Sequence, residues 1–398
     1  MTGQREGRAA AIDVPTLVFA AAGIAATAVL PFVRVRPNRI AEGTAQLLLG
    51  ISPAAAACLL LLWGAAGVAA LLGRAGQARA RVVMALSIAA PVAAVVAAGL
   101  VTTAAAGAST IARASLAAGF WTTTVLGYAS FLSSSTRAGL GRDLLRRVLG
   151  FSVPVVIGAL LFSGFLDAVS VVREWAVQKT VFLAETVNHL VLSGMAVLAG
   201  GVVGLLVGIV SRRRAGFRQA SFFVLNIVQT IPSLALFGLL ILPLAALSRR
   251  FPILHEWGIS GIGRAPAVIA LSFYAMLPIA RNTLTALAGI PPAARDAGRG
   301  MGMTRGQLLG RVEIPLALPV ILAGVRTATV QSIGNVVVTA LIGAGGLGVF
   351  IFQGLGQFAA DLILLGTLPV IAMAVAADQL LGGLVRLVTP RPLRGVEA

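Results

Sequence analysis

Apolar residues in this chain gather into ten long blocks, near 14–33, 46–72, 82–106, 115–133, 148–168, 190–211, 219–247, 264–288, 316–341 and 362–388. Short polar segments, most of them carrying arginine, separate the blocks. A mostly apolar run of about 20 residues makes a helix long enough to cross roughly 30 Å of hydrocarbon. The pattern therefore predicts an all-α integral membrane protein with about ten transmembrane helices. The most polar block is 115–133, with its Thr and Ser clusters.

Composition agrees with that class. The 398 residues are 58% hydrophobic and only 11% charged, well below the quarter or so usual in soluble domains. Net charge is +18, from 31 basic against 13 acidic residues. In a soluble chain such a surplus would point to nucleic acid. Here the arginines lie between membrane blocks, so the positive-inside rule explains them and no nucleic-acid partner is expected. With the N-terminus inside, 21 of the 31 basic residues fall on the cytoplasmic side, nine fall outside, and Arg326 lies within a span. Both termini are thus expected in the cytoplasm. The single Cys58 excludes a disulfide framework and a cysteine metal site. No small-residue cleavage site follows the first apolar run, which is read as a span that stays.

Three regions follow from the distribution of polar residues. Residues 1–170 form an Ala-rich membrane extension of about five spans. Residues 171–189, VVREWAVQKTVFLAETVNH, are amphipathic and are expected as an external connecting helix. Residues 190–390 hold more Gly, Pro, Asn and Gln inside their spans, which a translocation path requires.

Several chemistries are excluded. The only lysine, Lys179, has no glycine-rich run before it, so the chain has no P-loop and cannot itself be an ATPase of that type. His189 and His255 are far apart and are expected to be packed or solvated rather than to hold zinc. The string GAGGLG, Gly343 to Gly348, fits the letters of a dinucleotide fingerprint, but it follows a membrane span on the external side and is read as a flexible turn. Charges within or near spans are few: Asp167, Asp361, Asp378 and Arg326. They make no chain of acids such as a proton-coupled carrier needs. No catalytic, metal or cofactor residues are expected.

The segment 290–315, IPPAARDAGRGMGMTRGQLLGRVEIP, is polar and broken by glycine between two apolar blocks. Pro291 and Pro292 favour a helix start. Gly298, Gly300 and Gly302 would weaken that helix by about 1 kcal/mol each relative to Ala, which suggests close approach by a partner. Thr304 can cap a second short helix, and Pro315 and Pro319 open the next span. Asp296-Ala297-Gly298, then Gly302, then Val312-Glu313-Ile314-Pro315 reproduce the spacing E-A-A, three residues, G, nine residues, I-x-L-P. With this spacing the chain resembles the membrane permeases of ABC importers. The strings NIVQTIPSLALFGLL (226–240), YAMLPIARN (274–282), RGMGMT (299–304), IPLALPVILAGVRTATVQSIG (314–334) and LIGAGGLG (341–348) resemble the glycine betaine/choline/proline, or osmoprotectant, branch. RPNR (36–39) and GFW (119–121) resemble the longer Yeh-type osmoprotectant permeases. Asp for Glu, Gly for the second Ala, and Val and Ile for Ile and Leu are departures from the signature.

The resemblance implies a permease subunit in a bacterial cytoplasmic membrane whose last five spans form a type I, MetI-like core. It implies that the loop 290–315 couples to cytoplasmic ATPase subunits, which bind the ATP and Mg. A second permease, identical or paralogous, and an extracytoplasmic substrate-binding protein complete the expected assembly. A permease for another small, amino-acid-like solute, or an ATP-independent ion-coupled carrier or channel, stands as the alternative. Candidate path residues are Asn226, Gln229, Thr230, Pro232 and Ser233, with Pro232 freeing backbone mid-span, and Gln331, Ser332 and Asn335 as a second polar strip. Residues four apart, such as Asn226 and Thr230, share a helix face. The aromatic residues are too scattered to predict a cation cage.

Overall fold

A computed structural model describes residues 13–37, 41–72, 77–106, 112–137, 144–256 and 258–389. Arg5, Arg8, Arg39, Arg74, Arg142, Arg391, Arg394 and Trp257 lie outside the described residues. The chain divides into two compact units, 1–177 and 178–398.

In the first unit, Asp13 caps α1 (Val14–Val29) by accepting the Thr16 N–H at 3.2 Å and its hydroxyl at 2.9 Å. Three strands follow in two places: β1 (Pro31–Arg36), β2 (Thr44–Leu47) and β3 (Arg113–Leu116). They pair antiparallel in the order β2-β1-β3. This sheet takes residues 31–33, 46–47 and 115–116 from the ends of expected spans. The register slips between Pro31 and Val33, and adjacent Phe32 and Val33 are both buried, as a bulge permits. Around the sheet stand α2 (Leu48–Ile51), α3 (Pro53–Leu71), α4 (Gln77–Ala106), α5 (Ala118–Arg137) and α6 (Leu144–Phe162). Phe32 meets Phe120 edge-on at 5.9 Å in a core shared with Leu48, Leu59 and Met84. The hydroxyls of Ser87 and Ser130 bond at 2.7 Å between α4 and α5, which satisfies both inside an apolar bundle.

The long α7 (Ser170–Arg213) has one non-helical residue, Gln178, and runs unbroken from there through residues 179–211. The expected connecting helix at 171–189 is divided by the kink at Gln178: its first half is a short helix before the kink, and its second half is the start of the span. Next come α8 (Ala215–Thr230), α9 (Ser233–Arg250), α10 (Pro252–Glu256) and α11 (Arg264–Ala288). The block 219–247 is thus two helices, parted at Ile231–Pro232, because proline has no N–H to continue the ladder. The remaining elements are α12 (Pro292–Gly300), α13 (Arg305–Leu308), a π-helical turn (Leu309–Glu313), α14 (Ile314–Val336), a 3₁₀ stretch (Val337–Ile342), α15 (Gly348–Gly356) and α16 (Ala360–Val388).

Gly200, Gly204 and Gly208 lie four apart along α7, against α11. A Cβ at Gly200 would come within 2.4 Å of the Ser272 carbonyl oxygen, and one at Gly204 within 2.8 Å of the Met276 carbonyl oxygen. Only glycine allows the two backbones to approach this closely, the packing membrane helices use where hydrophobicity cannot drive association. Leu192, Phe237, Leu271 and Val336 fill the adjoining core.

Each of the ten expected spans carries a helix. Seven helices among the described residues are long and apolar enough to cross a bilayer, and two shorter apolar ones, Val14–Val29 and Val148–Phe162, accompany them. The protein is an all-α membrane protein with a small sheet in its first unit.

Candidate functional site: the polar loop and its mount

The loop between α11 and α14 is ordered by its own chemistry. Pro291 caps α12, with Pro292 in its first turn. The helix ends in a Schellman motif: Gly302 N–H donates to the Arg299 carbonyl at 2.9 Å and Met303 N–H to the Gly298 carbonyl at 3.2 Å. Gly302 has φ +75°, the left-handed conformation that disfavours a Cβ. Gly302 therefore lies outside the helix, where it ends α12 rather than loosening it. Gly298 is buried, and a Cβ there would lie 2.6 Å from Leu308 Cδ1. Gly298 and Gly302 make a compact corner, while Gly300 is exposed in α12 with open space around it.

Thr304 then caps α13 in a capping box with Gln307, whose side chain accepts the Thr304 N–H at 2.9 Å. The short helix expected after Thr304 is continuous with the span: α13, the π-helical turn and α14 run on through Val312, Ile314 and Pro315. A π turn widens the helix by one residue and commonly sits at functional positions.

Glu313, at the end of that turn, is the residue on which the loop is mounted. It is buried, its carboxylate accepting from Arg212 Nη1 at 2.6 Å and from Arg295 Nε at 3.1 Å. Arg295 also donates to the Leu287 carbonyl oxygen. One carboxylate thus joins the end of α7, the loop helix α12 and the start of α14, and Arg295 extends the joint to α11. The Arg212 hydrogen bond, then the charges of both arginines, hold the Glu313 carboxyl below the usual carboxylate range against the opposing effect of burial. Beside this joint lies a cavity of about 500 Å³ lined by Arg212, Arg213, Arg299, Arg305, Met303 and Leu308.

The opposite face of α12 is solvent-exposed. Asp296 and Ala297 are exposed, and Asp296 pairs only with its neighbour Arg299 at 3.2 Å, both side chains about two-thirds exposed (67% and 65%). Such a surface pair contributes little stability, so it leaves both charges available to a partner.

The path candidates fall into two groups. Gln229 donates to the Tyr274 carbonyl at 2.7 Å and accepts from Gln331 at 3.3 Å, which joins α8, α11 and α14. The Tyr274 hydroxyl donates to the carbonyl of Ile231, at the break before Pro232. Asn226, by contrast, is exposed and accepts from Arg281 at 3.1 Å. Thr230 bonds back to the Ile227 carbonyl at 2.7 Å, while Pro232 is exposed and Ser233 half-buried. Asn335 is half-buried and Ser332 is buried in α14.

The GAGGLG segment is a turn, and hydrogen bonds to α7 hold it. Gly343, Gly345 and Gly346 all have positive φ. Gly346 N–H donates to Glu185, Asn188 donates to the Ala344 carbonyl at 2.8 Å, and Leu347 N–H donates to His189 Nδ1 at 3.2 Å. His189 is packed, its Nε2 2.9 Å from the Ile333 carbonyl oxygen, and His255 is exposed.

A helical membrane bundle with an exposed loop helix carried on its spans by a shared carboxylate is a membrane subunit with a face open to a partner. Known proteins give its class. Residues 200–394 match the family described as binding-protein-dependent transport system inner membrane component, and residues 13–172 match the N-terminal domain of the ABC transporter permease YehY. The chain is 39% identical over 215 residues to the glycine betaine/carnitine/choline transport system permease protein OpuCB of Bacillus subtilis, covering 54% of this chain and 92% of that one. It is 42% identical over 209 residues to the osmoprotectant import permease protein OsmW of Salmonella typhimurium, covering 52% and 92%. A solved structure of the MetNI methionine ABC transporter aligns at 25% identity and TM-score 0.46, over 52% of this chain and 96% of that one. The chain belongs to the inner-membrane permeases of binding-protein-dependent ABC transporters.

Proposed function

We propose that this permease imports a small compatible solute, of the quaternary-ammonium kind named for its relatives, and that the loop around α12 takes force from a cytoplasmic ATPase. The carrying observation is the Glu313 joint. A push on the exposed face of α12 reaches α7, α11 and α14 through Arg212, Arg295 and Glu313, whose bonds leave little slack. Interfaces of this kind switch between discrete packings rather than bend continuously. Asp296, Ala297 and Met301 would meet the ATPase, Gly298 and Gly302 would set the corner, and Val312, Ile314 and Pro315 would begin the driven span.

The working unit is a pair of permeases, identical or paralogous, with two ATPase subunits that bind ATP and Mg and a separate extracytoplasmic solute receptor. The Gln229–Gln331–Tyr274 cluster, with Asn226 and Asn335 nearby in sequence, supplies polar groups for the path. Residues 1–170 act as a membrane extension of the 190–390 core, and both termini face the cytoplasm of a bacterial cell.

The test is ATP-dependent uptake by the complete importer in proteoliposomes. Asp296→Lys, which inverts the docking charge, and Gly302→Asp, which strains the left-handed corner, are each expected to lower uptake at least tenfold while the protein still inserts in the membrane. Normal uptake by both variants, or solute movement by this chain alone down a sodium gradient, would overturn the reading.

A further inference from the structure

Arg326 and Asp378 face each other between α14 and α16, with Nε on one carboxylate oxygen and Nη2 on the other, both at 2.6 Å. Their depth is what makes the pair informative. Arg326 is 12 residues (326 − 314) past the start of α14, or about 18 Å at 1.5 Å per residue. Asp378 is 10 residues (388 − 378) before the end of α16, or about 15 Å. Both estimates put the pair near the middle of a bilayer roughly 30 Å thick.

The pair is also open. The two side chains keep 41% and 35% of their surface exposed, whereas Glu313 in the loop joint keeps 3%. Charges at this depth are too costly to face lipid; they face a protein interior or a watered cavity, and they mark solute and ion pathways. The position is built to hold the cation: Gly382 is buried, and a Cβ there would come within 3.2 Å of Arg326 Cζ. Asp378 occupies only two of the five N–H donors of the guanidinium.

We propose that Arg326 and Asp378 form a transient solute site in the translocation path, specific for zwitterions: Arg326 takes the carboxylate and Asp378 the cationic end. A zwitterion entering the pair replaces one ion pair with two and strands no charge. A cation without a carboxylate can take Asp378 only by leaving Arg326 unmatched in a low dielectric, which is strongly unfavourable. The existing internal pair makes occupancy weak, as conduction through a path requires. This inference rests on the permease reading above and adds to it the site and the charge class of the solute.

The test uses the assembled importer in vesicles. Thr329 is half-buried three residues on from Arg326, on the same helix face, so Thr329→Cys on a Cys58→Ser background reports on that face. A water-soluble, membrane-impermeant thiol reagent is expected to label it, and glycine betaine to slow the labelling at least threefold while choline, which lacks the carboxylate, does not. In parallel, Arg326→Met with Asp378→Leu removes both charges together, leaving none unpaired. That double variant is expected to insert and to keep its melting temperature, yet to lose glycine betaine uptake at least tenfold. Absence of labelling, absence of protection or equal protection by the two probes would overturn the proposal. So would wild-type uptake by the double variant, which would make the pair a structural tie. ATP-dependent uptake by the unmodified importer, measured alongside, separates these failures from failure of the permease reading.

Discussion

Glu313 illustrates what a single residue does in this fold and why a reader of the sequence passes over it. Asp296, Gly298 and Gly302 stand out because their spacing is fixed within a short segment. Glu313 occupies the unspecified position of the same signature, and its chief partner, Arg212, is 101 residues away. Nothing local announces that contact. Removing the carboxylate by Glu313→Ala leaves Arg212 and Arg295 facing each other, 22% and 17% exposed, without a counter-charge. The cost is expected near the low end for a broken buried pair, about 3 kcal/mol, because both arginines keep some water. A lower melting temperature and uncoupled ATP hydrolysis would register it, with Glu313→Gln less severe because it keeps a hydrogen-bond acceptor. Unchanged melting and coupling in Glu313→Ala would remove the joint from the mechanism. The pH dependence has a definite sign. The carboxyl titrates lower in the folded protein than in the unfolded chain, so its stabilisation is complete above the ordinary carboxylate range. It is lost as pH falls through the depressed value.

At the scale of elements, hydrophobic blocks located the helices because length and apolarity are collective properties that single residues cannot hide. They missed the sheet because strands of four to six residues at the edge of an apolar block read as more of that block. They also merged α8 with α9, although Pro232 marked the break. The seam between α7 and α11 was legible in principle: Gly200, Gly204 and Gly208 repeat at the spacing of one helix face. Its meaning needs the partner, since only the Ser272 and Met276 carbonyls show that the spaces are full. Gly204→Leu is expected to force α7 from α11 and destabilise the second unit by about 3 kcal/mol. Thermal unfolding in detergent would show this as an earlier transition. Gly194, where a Cβ would meet nothing within 4 Å, serves as the control: Gly194→Ala should melt no earlier than the unmodified protein does. Equal melting of Gly204→Leu and that control would mean that the seam does not hold the helices.

For the whole molecule, the central quantity is sidedness, because force from an ATPase can reach the loop only if the loop lies in the cytoplasm. Ten crossings would put both ends of the chain on one side. The distribution of 21 basic residues against nine would then select the cytoplasm for that side. The count must be even for this to work, and α5 decides it. It is the most polar of the ten, with Thr123, Ser130 and Ser134 buried and the Ser87–Ser130 bond satisfying part of that polarity from within. If α5 did not cross, every later loop would change sides, taking Arg212, Arg213 and Arg214 to the exterior with α12. Two exposed positions on opposite sides of α11 read this out: Ala297 on α12 and His255 on α10. On a Cys58→Ser background, Ala297→Cys is expected to react with an impermeant thiol reagent only in inside-out vesicles, and His255→Cys only in intact cells. The reverse pattern would place the loop beyond the reach of any cytoplasmic ATPase, and the Glu313 joint would then have nothing to transmit.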